Sequence, residues 1–108
     1  MKVLVCGGRD FGDEVYVFEV LKNYPITFLI SGGARGVDSF AYNYAVKNNI
    51  DHKIINAEWD KYGKKAGYLR NIAMADENPD LVIAFPGGKG TSMMKKIAKE
   101  RNISVKEY

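Results

Sequence analysis

A chain of 108 residues suits one compact domain. With 46% hydrophobic and 27% charged residues it should fold rather than stay disordered, and no apolar run reaches the roughly 18 residues of a membrane-spanning helix. The net charge of +3 is unevenly placed: residues 1–51 carry 5 basic and 6 acidic side chains (net −1), residues 52–108 carry 11 and 7 (net +4), a bias that suits a phosphate-bearing ligand but is too small to argue for nucleic acid.

Met1-Lys2 leads directly into the apolar run Lys2–Cys6, read as a first strand, so no signal peptide is expected. The single cysteine, Cys6, excludes an internal disulfide, fits a reducing cytoplasm, and reads as a buried thiol late in its strand. Phe11, Val15, Phe18 and Leu21 recur at helical spacing, with Asp13 and Glu14 near the helix start and Pro25 as its stop. Residues 26–30 form the second strand. Val37, Phe40, Ala41, Tyr44 and Ala45 then give an i, i+3, i+4, i+7, i+8 stripe for the second helix. Lys53-Ile54-Ile55 centres a third strand. Residues 57–66 read as polar and irregular, and a third helix is predicted from about Ala66 to Ala75, stopped by Asn78-Pro79. Leu81–Phe85 is the fourth strand, residues 91–101 the fourth helix, and Ile103-Ser104-Val105 a short fifth strand.

Five strands alternating with four helices predict a doubly wound α/β domain over residues 1–108: three layers, a mostly parallel five-stranded sheet, helices on both faces and right-handed crossovers. The strands are nearly continuous apolar runs, the pattern expected when both faces are covered. Three glycine-rich segments leave strands for helices: Gly7-Gly8-Arg9-Asp10, Ser31-Gly32-Gly33-Ala34-Arg35-Gly36 and Pro86-Gly87-Gly88-Lys89-Gly90-Thr91. In this architecture such loops share one edge of the sheet, where ligands bind near the reversal of strand order. Without Cβ atoms the backbone N–H groups approach an anion closely, and a helix N-terminus adds its positive end.

Neither of the longer loops is a complete nucleotide motif. Ser31–Gly36 has serine where a dinucleotide fingerprint has its first glycine, and it follows the second strand; Lys89 is followed by Gly90 rather than by the Ser or Thr of a Walker A loop. Glu58 and Asp60 stand about where a ribose-binding acid would, though solvated loop carboxylates are the preferred reading. Arg9, Arg35 and Arg70 flank the predicted binding edge, and any of them could fork onto phosphate. Asp38, in the first turn of its helix, either satisfies orphan N–H groups or holds a ribose. Trp59, Tyr62 and Tyr68, interleaved with Lys61, Lys64 and Lys65, could stack a base or cap the core. His52 has no partner at ligand spacing, so no metal is assigned, and no Ser-His-Asp arrangement is present.

Taken together, Gly7–Phe11, Ser31–Asp38, Trp59–Gly67, Arg70-Asn71 and Phe85–Thr91 resemble the YspA-like, YpsA-related branch of the SLOG superfamily, named for the DNA-processing protein DprA and the lonely-guy enzymes. The resemblance runs from residue 3 to about 105. It implies a Rossmann-like domain that binds a nucleotide or nucleotide-derived ligand of the NAD, ADP-ribose or cyclic signalling kind, as a sensor or a sequestering protein; a viral version could act as a sponge against nucleotide-signalled host defence. On this resemblance the phosphate lies on Gly87–Thr91 and Gly32–Gly36 with Arg70 as its clamp, Asp38 or Asp10 holds a ribose, and Trp59 faces the base. Gly8, Arg9, Ser31, Arg35, Asn71 and Pro86 complete the expected ligand-binding set. The lonely-guy phosphoribohydrolases, which cleave a nucleotide N-glycosidic bond, set an alternative. Pro86–Thr91 matches their glycine motif, but the position of their catalytic Glu is Met94, and Asn71 replaces a Lys after the shared Arg. Single-stranded DNA binding, as in DprA, is a third reading. A homodimer or tetramer is expected, joined through the second helix or residues 57–70.

Overall fold

Side-chain alternation along the strands divides the apolar residues between two cores. Val3, Val5, Leu29, Leu81 and Ile83 face one way, while Leu4, Cys6, Ile30, Val82 and Ala84 face the other. The computed structural model describes residues 1–108. In chain order it consists of β1 (Lys2–Cys6), α1 (Glu14–Leu21), β2 (Phe28–Gly32), α2 (Val37–Lys47), β3 (Asp51–Ile55), α3 (Trp59–Tyr62), a 3-10 turn (Gly63–Lys65), α4 (Ala66–Ala75), β4 (Leu81–Ala84), α5 (Lys89–Glu100) and β5 (Ser104–Glu107). Every strand pairing is parallel, in the order β3-β2-β1-β4-β5. Helices α1 and α2 cover the first core; α4 and α5 cover the second through Met74, Ala75, Met94, Ile97 and Ala98.

Three helices end near an asparagine in the left-handed region: Asn49 after α2, Asn78 after α4 and Asn102 after α5, with φ of 53, 55 and 59°. Asparagine tolerates that conformation better than most side chains, so the chain leaves each helix sharply and turns back to the sheet. At the start of α1, Asp13 accepts the Tyr16 N–H at 3.0 Å and supplies the cap.

Several expectations are corrected. The buried face of α1 is Val17, Val20 and Leu21, and Val15 is 71% exposed. The strand β3 is an edge strand with exposed side chains rather than a run covered on both faces, and β5 on the opposite edge is also largely exposed. Residues 59–65 form a short helix and a 3-10 turn where irregular chain is expected. Helix α5 begins at Lys89, so Lys89 and Gly90 belong to its first turn and not to the loop. No helix is long and apolar enough to cross a membrane.

This topology positions the site. The chain winds outward from β1 through β2 to β3, then returns to β4 on the other side of β1 and winds outward again to β5. Strand order therefore reverses between β1 and β4. The C-terminal ends of β2, β1 and β4 are neighbours, and each carries one glycine loop.

Candidate functional site

The three glycine loops touch. Gly8 lies between the other two: its N–H donates to the Pro86 carbonyl at 2.8 Å, and its carbonyl accepts the Val37 N–H at 3.2 Å. At Gly36, where φ is 75°, a Cβ would collide with the Gly8 carbonyl oxygen and stand 2.6 Å from that of Arg9. At Gly87 it would collide with Thr91 Oγ1 and approach the Gly8 nitrogen to 2.8 Å. These close backbone approaches require glycine.

The helix α5 starts beside this junction. Gly88 occupies its N-cap position, no side chain caps it, and no acidic residue lies in its first turn. The first N–H groups of a helix lack intrahelical acceptors and carry a partial positive charge, so this end of α5 favours an anion. It opens into a cavity of about 430 Å³ with Cys6, Met74 and Met94 in its buried lining. Arg9, Lys64, Arg70 and Lys89 surround the cavity, against two carboxylates, Asp10 and Asp38. Trp59, half exposed, and Tyr68 form an aromatic wall; Trp59 packs so near α4 that a Cβ on Gly67 would lie 3.4 Å from its ring.

Arg70 is held in place. Its Nε donates to Asn71 Oδ1 at 3.1 Å, and Asn71 Nδ2 donates to the Gly90 carbonyl at 3.2 Å, tying α4 to the first turn of α5. The guanidinium also reaches the end of β2, where a Cβ on Gly32 would collide with Arg70 Nη1 and lie 2.8 Å from Asp38 Oδ2. Asp38 is buried and accepts the Ala34 N–H at 3.2 Å. Burial pushes its carboxyl above the ordinary aspartate range; the Arg70 charge opposes that shift, followed by the N–H groups of Ala34 and Gly32 and the charge of Arg9. Burial likewise pushes the Cys6 thiol up to about 12, with the Asp38 charge adding to it, so Cys6 stays a neutral thiol.

Eleven of the eighteen residues singled out from the sequence line this cavity: Gly8, Arg9, Asp10, Asp38, Trp59, Arg70, Asn71, Gly88, Lys89, Gly90 and Thr91. Gly33 and Arg35 line an adjoining cavity, which also reaches Arg9, Trp59 and Arg70. Arg35 and Asp10 form an exposed ion pair of 2.9 Å across the rim. Ser31, Gly32, Gly36, Pro86 and Gly87 line neither cavity and belong to the frame beneath. Ser31 is buried, and its hydroxyl has no hydrogen-bond partner. In the second loop the Ala34 and Val37 N–H groups are already taken by Asp38 and Gly8, which leaves the α5 end as the more open anion cradle. Lys64, named among the lysines interleaved with the aromatics, and Gly67 also line the first cavity although neither stands in the expected ligand-binding set, and sequence reasoning missed Asn56 as lining of the second. For Asn56 a signal existed: it directly follows β3 and so leaves the sheet on the same edge as the glycine loops. No group of three or more His, Cys, Asp or Glu side chains is assembled that could hold a metal ion.

A doubly wound parallel sheet with glycine loops and an open cleft at the reversal of strand order defines a Rossmann-like α/β domain. Residues 1–62 match the family model described as "YspA, cpYpsA-related SLOG family", and the chain belongs to that family. It is similar to the Gene 61 protein of Mycobacterium phage D29, with 33% identity over 117 residues covering 96% of this chain and 93% of the phage protein. No solved structure matches.

Proposed function

We propose that the chain binds a nucleotide or nucleotide-derived ligand in the cavity between the β1 and β4 loops, as a sensor or sequestering protein. The observation that carries this reading is the uncapped N-terminus of α5, which opens onto a cavity ringed by Arg9, Lys64, Arg70 and Lys89. A phosphate accepts the N–H groups of the first turn of α5, and Arg70, pre-oriented by Asn71, closes on it. Trp59 and Tyr68 offer stacking faces for a base, and Asp38 or Asp10 accepts a ribose hydroxyl. Membership of the SLOG family supports a nucleotide-related ligand. NAD, ADP-ribose and cyclic signalling nucleotides are the ligands of choice for a screen.

Binding is favoured over N-glycosidic hydrolysis because Met94, at the position of the lonely-guy carboxylate, is packed in the core among Ile97 and Ala98. That position can neither activate water nor stabilise a cationic sugar. Incubation of purified protein with nucleotides, followed by mass spectrometry of bound and free fractions, tests the reading. Ligand retained and returned unchanged supports it; released free base would establish the hydrolase instead. The same proposal includes self-association through the 57–70 region. Ile54, Tyr62 and Leu69 are exposed around one groove between β3 and α4, and sedimentation velocity should show a dimer or tetramer. A reduced Cys6 suits a cytoplasmic setting.

A further inference from the structure

Beside the main cavity is a second one of about 380 Å³, lined by Arg9, Gly33, Arg35, Asn56, Trp59 and Arg70 among others. Arg9, Trp59 and Arg70 border both. The second cavity has three arginines and no acidic residue in its lining, and an amide stands against the second glycine loop: a Cβ on Gly33 would collide with Asn56 Oδ1. Arg9 makes no side-chain hydrogen bond and no ion pair within the protein. Arg35 is tethered only by its exposed pair with Asp10, a contact that a ligand phosphate replaces readily because solvent already screens it. The volumes of about 430 and 380 Å³ each sit low in the range of small-molecule pockets, about 300–1,000 Å³, so each is suited to one nucleotide unit.

We infer that the site has two chambers and takes a ligand of dinucleotide size carrying two phosphate groups. One phosphate lies at the α5 N-terminus in the first chamber. The other lies among Arg9, Arg35 and Arg70 in the second. Arg9 and Arg70 stand at the boundary and contact both halves, while Trp59 presents its ring to the linker or to a base on either side. Guanidinium forks are the side chains best matched to phosphate oxygens, and with Arg9 unpaired and Arg35 free to exchange its exposed Asp10 partner, the three arginines that line this chamber can turn onto an anion there. This inference rests on the reading of the first chamber given above and adds to it the second half of the ligand.

The experiment is calorimetric titration of the full chain with the four nucleoside 5′-monophosphates and with the matching 5′-phosphorylated dinucleotides. Because the second phosphate makes charge-assisted hydrogen bonds, the best dinucleotide should bind about tenfold or more tighter than its monophosphate. Arg35→Ala should collapse that margin to about twofold or less, since it removes a fork from the second chamber. Arg35 is exposed, so the substitution leaves the fold intact; an unchanged far-UV circular dichroism spectrum and melting temperature check this. Monophosphate and dinucleotide binding with equal affinity, or an undiminished margin in the Arg35→Ala protein, would overturn the two-chamber inference while leaving the single-site reading in place. Failure of every monophosphate and dinucleotide to bind would remove both.

Discussion

The junction of the three loops can be tested at Gly36. Substitution by Ala forces a Cβ onto a backbone with φ of 75°, into the carbonyl oxygens of Gly8 and Arg9. Neither oxygen belongs to a side chain that can rotate away, and the Gly8 carbonyl is already engaged by Val37 N–H. An L-residue held in such a conformation costs about 1–3 kcal/mol. Relieving the overlap by shifting backbone costs a further amount of about 1–3 kcal/mol. The expected loss is therefore about 3 kcal/mol or more, a large share of the roughly 5–15 kcal/mol that stabilises a domain. Urea denaturation followed by far-UV circular dichroism measures it, with a melting temperature lower by at least about 10 °C as a second readout. Gly12→Ala is the control, because a Cβ there meets nothing within 4 Å and the residue lies outside the helices; its stability should lie within about 0.5 kcal/mol of the parent. A Gly36→Ala protein less than about 1 kcal/mol below the parent would refute the claim that the first and second loops are locked together through their backbones.

Three further outcomes follow from the site. Trp59→Ala should weaken nucleotide binding by about 1–3 kcal/mol if the ring stacks a base, with little loss of stability because the side chain is half exposed; titration calorimetry and a melt separate the two effects. Arg70→Ala should weaken binding about tenfold or more, and Arg70→Lys should restore only part of it, since a lysine cannot both fork onto phosphate and keep the Asn71 contact. Cys6 should resist thiol reagents at pH 8 until the protein unfolds. Its pKa is raised from 9.0 to about 12 by burial, so the native state holds the proton more tightly than the unfolded chain. That contribution to stability is fully present below about pH 9 and fades as pH rises toward 12, so rapid labelling of native protein at pH 8 would show the thiol to be accessible.

The parts of the fold legible in the sequence were those where two signals agreed. The second helix shows this best: the stripe Val37, Phe40, Ala41, Tyr44 and Ala45 is flanked by polar residues, and four of its five members are buried. The segment Glu14–Leu21 has apolar residues at six of eight positions, so two overlapping stripes fit a helical period; only packing against the sheet selects Val17, Val20 and Leu21 over Val15. Edge position was invisible for a related reason. The run around Ile54 and Ile55 looks like any buried strand, and the strand order that exposes it is a tertiary fact. At the site, glycine spacing located the loops, because close backbone contact leaves glycine as its trace. The roles within them were less legible. Arg35 turns to Asp10, and Asn71 links Arg70 to the Gly90 carbonyl, pairings that depend on elements distant in the chain. Asn56 is marked only by its place directly after β3, and nothing in the aromatic–lysine run singles out Lys64 over Lys61 and Lys65 until the 3-10 turn is placed beside the glycine loops.

Backbone amide chemical shifts, followed by nuclear magnetic resonance while a nucleoside monophosphate is titrated into the labelled chain, test the anion site most directly. Binding at the start of α5 should move the Gly88, Lys89, Gly90 and Thr91 resonances most, with Gly8 and Arg70 following, and leave those of β5 in place. Saturable shifts that bypass these amides and gather elsewhere on the molecule would contradict the account.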